Sequence, residues 1–225
     1  MTAINPTAIA QKKRVAILIS GRGSNMQALV EAARQPDYPA EIALVISNRP
    51  DAAGLAWAKA SGIPALGFDH KHYESREHFE SQLQGVLTVS RIDIVALAGF
   101  MRLMTPGFVE QWRDRMINIH PSLLPSFKGL HTHQRALDAG VKITGCTVHL
   151  VRAEMDEGPI IGQAAVPVLG SDTAETLAAR VLAAEHKLYP KALAIFARGQ
   201  LSLEAGIIRC SAPVNQNTAM FSPEL

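Results

Sequence analysis

The alternation of short apolar runs with helix-length segments through residues 14–98 constrains this chain more than any other feature in it. Arg14 to Ser20 carries Val-Ala-Ile-Leu-Ile, a brief continuous apolar run of the kind a strand covered on both faces needs. Gly21 and Gly23 end it, and Ser24 to Arg34 then places Met26, Leu29 and Val30 on one helix face. Ser24 and Gln27 have the S-x-x-Q spacing of a capping box, which predicts that Ser24 caps this helix. The rhythm repeats: strand 42–47, helix 52–60, strand 65–68, helix 75–89, and the most apolar strand at 92–98. Strands alternating with helices of this length predict βαβ units, and so a doubly wound, mostly parallel α/β sheet.

After Gly99 the pattern changes. A short helix is expected at 106–112, a strand at 116–119, and a loop-rich stretch from His120 to His133 punctuated by Pro121, Pro125 and Gly129. Two strand-like runs, 144–151 and 160–168, flank the acidic, Gly-containing turn from Glu154 to Gly158, which predicts an antiparallel hairpin. Thr173 to Ala197 reads as one long amphipathic helix, with Pro190 a candidate bend. The expected organisation is a tail at 1–13, one domain at 14–203 and an extension at 204–225.

Composition narrows the function. A net charge of +2, with basic residues scattered along the chain, lacks the footprint that duplex nucleic acid requires. Cys146 and Cys210 stand far apart with no C-x-x-C partner, which argues against a disulfide framework or structural zinc and for a reducing compartment. The tail lacks the apolar core of a signal peptide, and no later run reaches the roughly 20 apolar residues of a membrane span. A cytoplasmic protein with no membrane or nucleic-acid partner is expected.

Two motifs carry chemistry. Ser20-Gly21-Arg22-Gly23-Ser24-Asn25 is a Gly-rich turn between a strand and a helix N-terminus, where backbone N–H groups and the helix dipole attract an anion. Met26 stands where a dinucleotide fingerprint needs glycine, so a phosphate monoester fits better than a dinucleotide. An ordinary βα turn with no ligand accounts for the same residues. Asn118 and His120, two apart on the strand ending at Pro121, share a face at its C-terminal end, where open α/β sheets bind ligands. An amide and an imidazole there can hold a developing oxyanion and move a proton, although such a pair also occurs as a satisfied structural contact. Asp156 sits in the hairpin turn, where an acidic residue is ordinary turn chemistry. A carboxylate close to His120 would instead favour the imidazolium. His131 and His133 fit no zinc spacing and read as loop-shaping or substrate-touching, and His149 as a core histidine bonded to the site.

These segments, with Leu97 to Arg102, Gly129 to His133 and Met155 to Pro159, make residues 14–203 resemble the phosphoribosylglycinamide formyltransferase family. The resemblance implies a Rossmann-like formyltransferase fold with a C-terminal antiparallel hairpin and long helix. It implies transfer of the formyl group of 10-formyltetrahydrofolate, a co-substrate, to the amine of 5-phosphoribosylglycinamide (GAR), with no metal. Catalysis would fall to Asn118, His120 and Asp156. Gly23, Ser24 and Asn25 would hold the substrate phosphate and Glu185 its glycinamide portion. The folate would be lined by Met101, Arg102, Leu103, Met104, Asn118 and Val151, with Arg76 near its glutamate tail. A monomer or homodimer is expected.

Overall fold

The computed structural model describes residues 11–211 and Ser222; most of the expected tail and most of the expected C-terminal extension lie outside the described residues. The chain runs β1 (Lys13–Ile19), α1 (Ser24–Ala33), β2 (Ala40–Ser47), α2 (Ala53–Ala60), β3 (Ala65–Gly67), α3 (Arg76–Val89) and β4 (Ile94–Leu97). It continues through α4 (Pro106–Gln111), β5 (Met116–His120), α5 (Thr132–Asp138), β6 (Ile143–Leu150), β7 (Ile160–Pro167), α6 (Ala174–Ala197), β8 (Leu201–Glu204) and β9 (Ile207–Cys210).

Seven strands form one sheet in the order β3-β2-β1-β4-β5-β6-β7. The first five run parallel, whereas β6 lies antiparallel to β5 and β7 antiparallel to β6. The expected α/β fold, with its parallel sheet and C-terminal hairpin, is the one observed. Period two along β1 explains the double winding. Val15, Ile17 and Ile19 pack into a core with α1, α2 and α6, while Ala16 and Leu18 face α3 and α4. Both faces of this strand are dry, and each fully buried Ile or Leu is worth about 1.5–3 kcal/mol over exposure. Chain order reverses at β1, between β2 and β4, so their C-terminal ends open a crevice.

Three details depart from the sequence reading. Ser24 is not the N-cap of α1: Gly23, at φ 72°, takes that place and no side chain caps the helix. The left-handed glycine starts the helix one residue sooner than a serine cap would, so Ser24 is already helical and its hydroxyl is not consumed by capping. A capping box occurs instead at α6, where Thr173 and Thr176 bond each other's backbone N–H. The stretch expected to be loop up to His133 contains the start of α5, and the boundary expected at 203–204 falls inside β8, which pairs with β9 as a separate hairpin. Helix α6 is continuous across Pro190.

Candidate active site

Strand β5 delivers Asn118 and His120 at its C-terminal end. Asp156 arrives from the β6–β7 connection, held at φ 58°, a left-handed conformation that Asp tolerates better than most residues. Its carboxylate lies 3.4 Å from His120 Nδ1, and both side chains are about nine-tenths buried or more, at 10% and 7% exposure. The same oxygen accepts the Gly129 N–H at 2.8 Å, tying the hairpin turn to the loop after β5. His120 Nε2 meets the Phe127 carbonyl at 3.0 Å, so both ring nitrogens face acceptors. Asn118 Nδ2 lies 3.2 Å from Nε2 of His149, its cross-strand partner on β6. The three residues expected to act together are thus brought into one cluster, with His149, 3.9 Å from Asp156, linking the half-buried Asn118 to the other two.

The loop after β5 is held in place from beneath. Thr147 on β6 donates to the Ser122 carbonyl and accepts the Leu124 N–H, and Gln163 on β7 donates to Thr147 and to the Leu124 carbonyl. His133, at the start of α5, is held below the ordinary imidazole range by burial and then by the nearness of His120.

On the α1 and α6 side of the sheet lies the second group. Asn25 Nδ2 donates to Glu185 at 2.6 Å, both residues buried, and the Asn25 side-chain oxygen Oδ1 is buried without a hydrogen-bond partner. Burial raises the Glu185 carboxyl above its usual range, and the Asn25 bond opposes this. Cys146 is pushed up to about 12 by burial and then by the Glu185 charge, which makes it a poor nucleophile. Gly23 and Ser24, half-buried, flank Asn25 at the helix start. A Cβ on Gly23 would meet the flexible end of Met26 at 2.8 Å, and the φ of 72° is a conformation that side-chain-bearing residues rarely adopt.

The expected folate residues are more dispersed. Met101 and Leu103 stand exposed at 67% and 59%, an unusual state for large apolar side chains beside a crevice. Met104 and Val151 are half-buried against the α3–α4 core. The Arg102 guanidinium lies 5.3 Å over the Phe79 ring, and its buried Nε has no partner. Arg76 is exposed at the first position of α3 and touches none of the other expected site residues through a hydrogen bond among those described. A cleft of about 310 Å³ opens at the strand ends, with Ser20, Asn48, Arg49, His70, Met101 and Arg102 in its walls. It includes two of the residues expected to line the folate, Met101 and Arg102, and its walls include none of Asn118, His120 and Asp156. Asn48, Arg49 and His70 carry no sequence signal; two separate βα connections, β2–α2 and β3–α3, converge to place them. Among the described residues no group of three His, Cys, Asp or Glu is arranged to hold a metal ion, and no helix is long and apolar enough to cross a membrane.

Residues 13–193 match the formyl transferase family. A phosphoribosylglycinamide formyltransferase of Haemophilus influenzae is 41% identical over 192 residues, 85% of this chain and 91% of that protein. The chain belongs to the phosphoribosylglycinamide formyltransferase family. The solved structure of glycinamide ribonucleotide transformylase 1 from Symbiobacterium toebii matches this formyltransferase fold with a TM-score of 0.88 at 45% identity, covering 93% of this chain and 99% of that one. The human trifunctional purine biosynthetic protein adenosine-3 is 52% identical over 193 residues, 86% of this chain, which spans 19% of that longer protein.

Proposed function

We propose that this formyltransferase moves the formyl group of 10-formyltetrahydrofolate onto the primary amine of 5-phosphoribosylglycinamide, a step of purine biosynthesis. The observation that carries the reading is the convergence of an amide, an imidazole and a carboxylate, from two separate chain segments, in one cluster at the end of β5.

In this mechanism the substrate amine attacks the formyl carbon directly. The new nitrogen–carbon bond gives a tetrahedral intermediate whose oxyanion is held by Asn118 and by His120 in its imidazolium form. The bond from carbon to the folate nitrogen then breaks; the amine loses one proton and the leaving nitrogen gains one. Asp156 balances the His120 charge and relays that proton. His120 must turn its Nε2 from the Phe127 carbonyl toward the substrate as the site fills, since catalytic hydrogen bonds tighten only in the complex. Gly23, Ser24 and Asn25 receive the phosphate at the positive end of α1, a helix of ten residues. Glu185 faces the glycinamide portion, where an ammonium group would offset the cost of its buried charge. The folate lies along Met101 to Met104 and Val151, with Asn118 at its reactive end and Arg76 and Arg102 toward the anionic tail.

Absorbance at the folate chromophore tests the assignment. With 10-formyltetrahydrofolate, conversion to tetrahydrofolate should require the amine substrate and should yield one formylated amine per folate consumed. Folate turnover that proceeds equally without the amine would identify a hydrolase using the same three residues.

A further inference from the structure

We propose that His149 is a positioning residue: locked as the Nδ1–H tautomer, it fixes which end of the Asn118 carboxamide faces the reacting formyl group. The proposal rests on the oxyanion role given to Asn118 above and adds to it the device that orients the amide.

An Asn side chain has two ends of similar shape and opposite polarity, so only its surroundings decide whether N–H or C=O points at a ligand. An N–H would stabilise a developing oxyanion, and a carbonyl oxygen in its place would repel it. Asn118 therefore needs a neighbour that can only accept, and His149 supplies one. Its Nδ1 lies 2.9 Å from the Leu150 carbonyl, and a carbonyl oxygen only accepts, so Nδ1 carries the ring proton. Nε2 of the neutral ring is then a bare acceptor, and it stands 3.2 Å from Asn118 Nδ2. One amide N–H is thereby committed to His149, the carbonyl end is turned away, and the second N–H of the same nitrogen remains to face an oxyanion.

The surroundings hold this state. Asn118 and His149 are directly opposed on β5 and β6, so backbone pairing sets their approach. The Leu150 carbonyl is packed against Gly158: a Cβ there would lie 1.7 Å from that oxygen. His149 is 2% exposed, and burial holds its pKa below the ordinary range. Two charged groups face it: Asp156, 3.9 Å from Nε2, favours its protonation, and His120 opposes it. A protonated ring would donate from Nε2, pairing with Asp156 and repelling the Asn118 amino group.

Two measurements decide the matter. Long-range ¹H–¹⁵N correlation on the ¹⁵N-labelled protein should show His149 at neutral pH as the neutral Nδ1–H tautomer; an Nε2–H tautomer or a charged ring overturns the proposal whatever the variants do. His149→Phe, which keeps a flat ring and removes the acceptor, should lower kcat about 10-fold to 100-fold, short of the roughly 10²–10³ for losing an oxyanion donor outright. KM for both substrates should change less than about twofold, because the ground states do not use this contact. In an Asn118→Ala background the same change should cost almost nothing, since His149 acts through Asn118. An equal loss in both backgrounds, or a His149→Phe rate within about threefold of wild type, removes the positioning role. If His149→Phe does not fold, the tautomer measured in the wild-type protein stands as the test. An Asn118→Ala enzyme as fast as wild type would remove the oxyanion reading and this one with it, whereas an Asn118-dependent rate that ignores His149 removes this one alone.

Discussion

Asn118 and His120 stand two residues apart on one strand, and the chemistry assigned to them differs from their structural contribution enough to be separated by kinetics. Neither anchors the hydrophobic core, so Asn118→Ala and His120→Ala should fold and keep substrate affinity while losing at least about 10² in kcat, the usual cost of one oxyanion donor. Single-turnover rates near wild type in either variant would exclude that residue from the transition state. Gly23 tests the proposed phosphate end of the site. Its φ of 72° costs a side-chain-bearing residue about 1–2 kcal/mol, and a Cβ would press on Met26 Cε. Gly23→Val should therefore raise KM for the phosphorylated amine far more than KM for the folate; equal rises in both would count against a phosphate at this turn.

At the level of elements, helix α6 depends on one acidic residue just before its cap. Asp172 accepts from Leu169 N–H, from the Thr176 hydroxyl and from both terminal nitrogens of Arg180, the last at 2.7 and 2.8 Å. The Arg180 bonds first, then those from Leu169 and Thr176, hold its carboxyl far below the ordinary 3.8. A folded-state pKa below the unfolded one stabilises above the unfolded value and is lost as pH falls through and beneath it. Asp172→Asn should thus lower the melting temperature at neutral pH, and the gap from wild type should narrow as pH drops below about 4. A gap that stays constant down to pH 2 would show that ionisation of this carboxyl adds no stability beyond the hydrogen bonds it accepts. The capping box of Thr173 and Thr176 does not use the Asp172 side chain, so the variant removes the carboxylate and its bonds to Arg180 and Leu169 while leaving that cap in place.

For the molecule as a whole, the sheet was readable because continuous apolar runs at strand length leave few alternatives, while short elements and distant contacts were not. Helix α5 has seven residues and starts from His131 in a left-handed conformation, with neither a capping side chain nor enough length for apolar periodicity to register. Asp156 reads as turn chemistry in the sequence and meets His120 only because the β6–β7 connection folds back onto β5, and the expectation for Arg76 rests on family resemblance alone. What joins the core to the candidate site is α6, which places Glu185 against Asn25 and, one turn later, Tyr189 in the dry core. The Tyr189 hydroxyl donates to the Leu97 carbonyl at 2.9 Å and lies 3.3 Å from that of Ile117, linking the helix to the neighbouring strands β4 and β5. Tyr189→Phe keeps the ring and removes this link, so stability should fall by about 0.5–1.5 kcal/mol, the net worth of a hydrogen bond. In a chain of this size each kcal/mol corresponds to roughly 2–4 °C in melting temperature. Because β4 and β5 keep their own pairing, kcat should stay within about twofold of wild type. A tenfold loss of kcat at an unchanged melting temperature would instead make Tyr189 a residue that sets the position of the β5 end, and the separation of core from catalysis would fail.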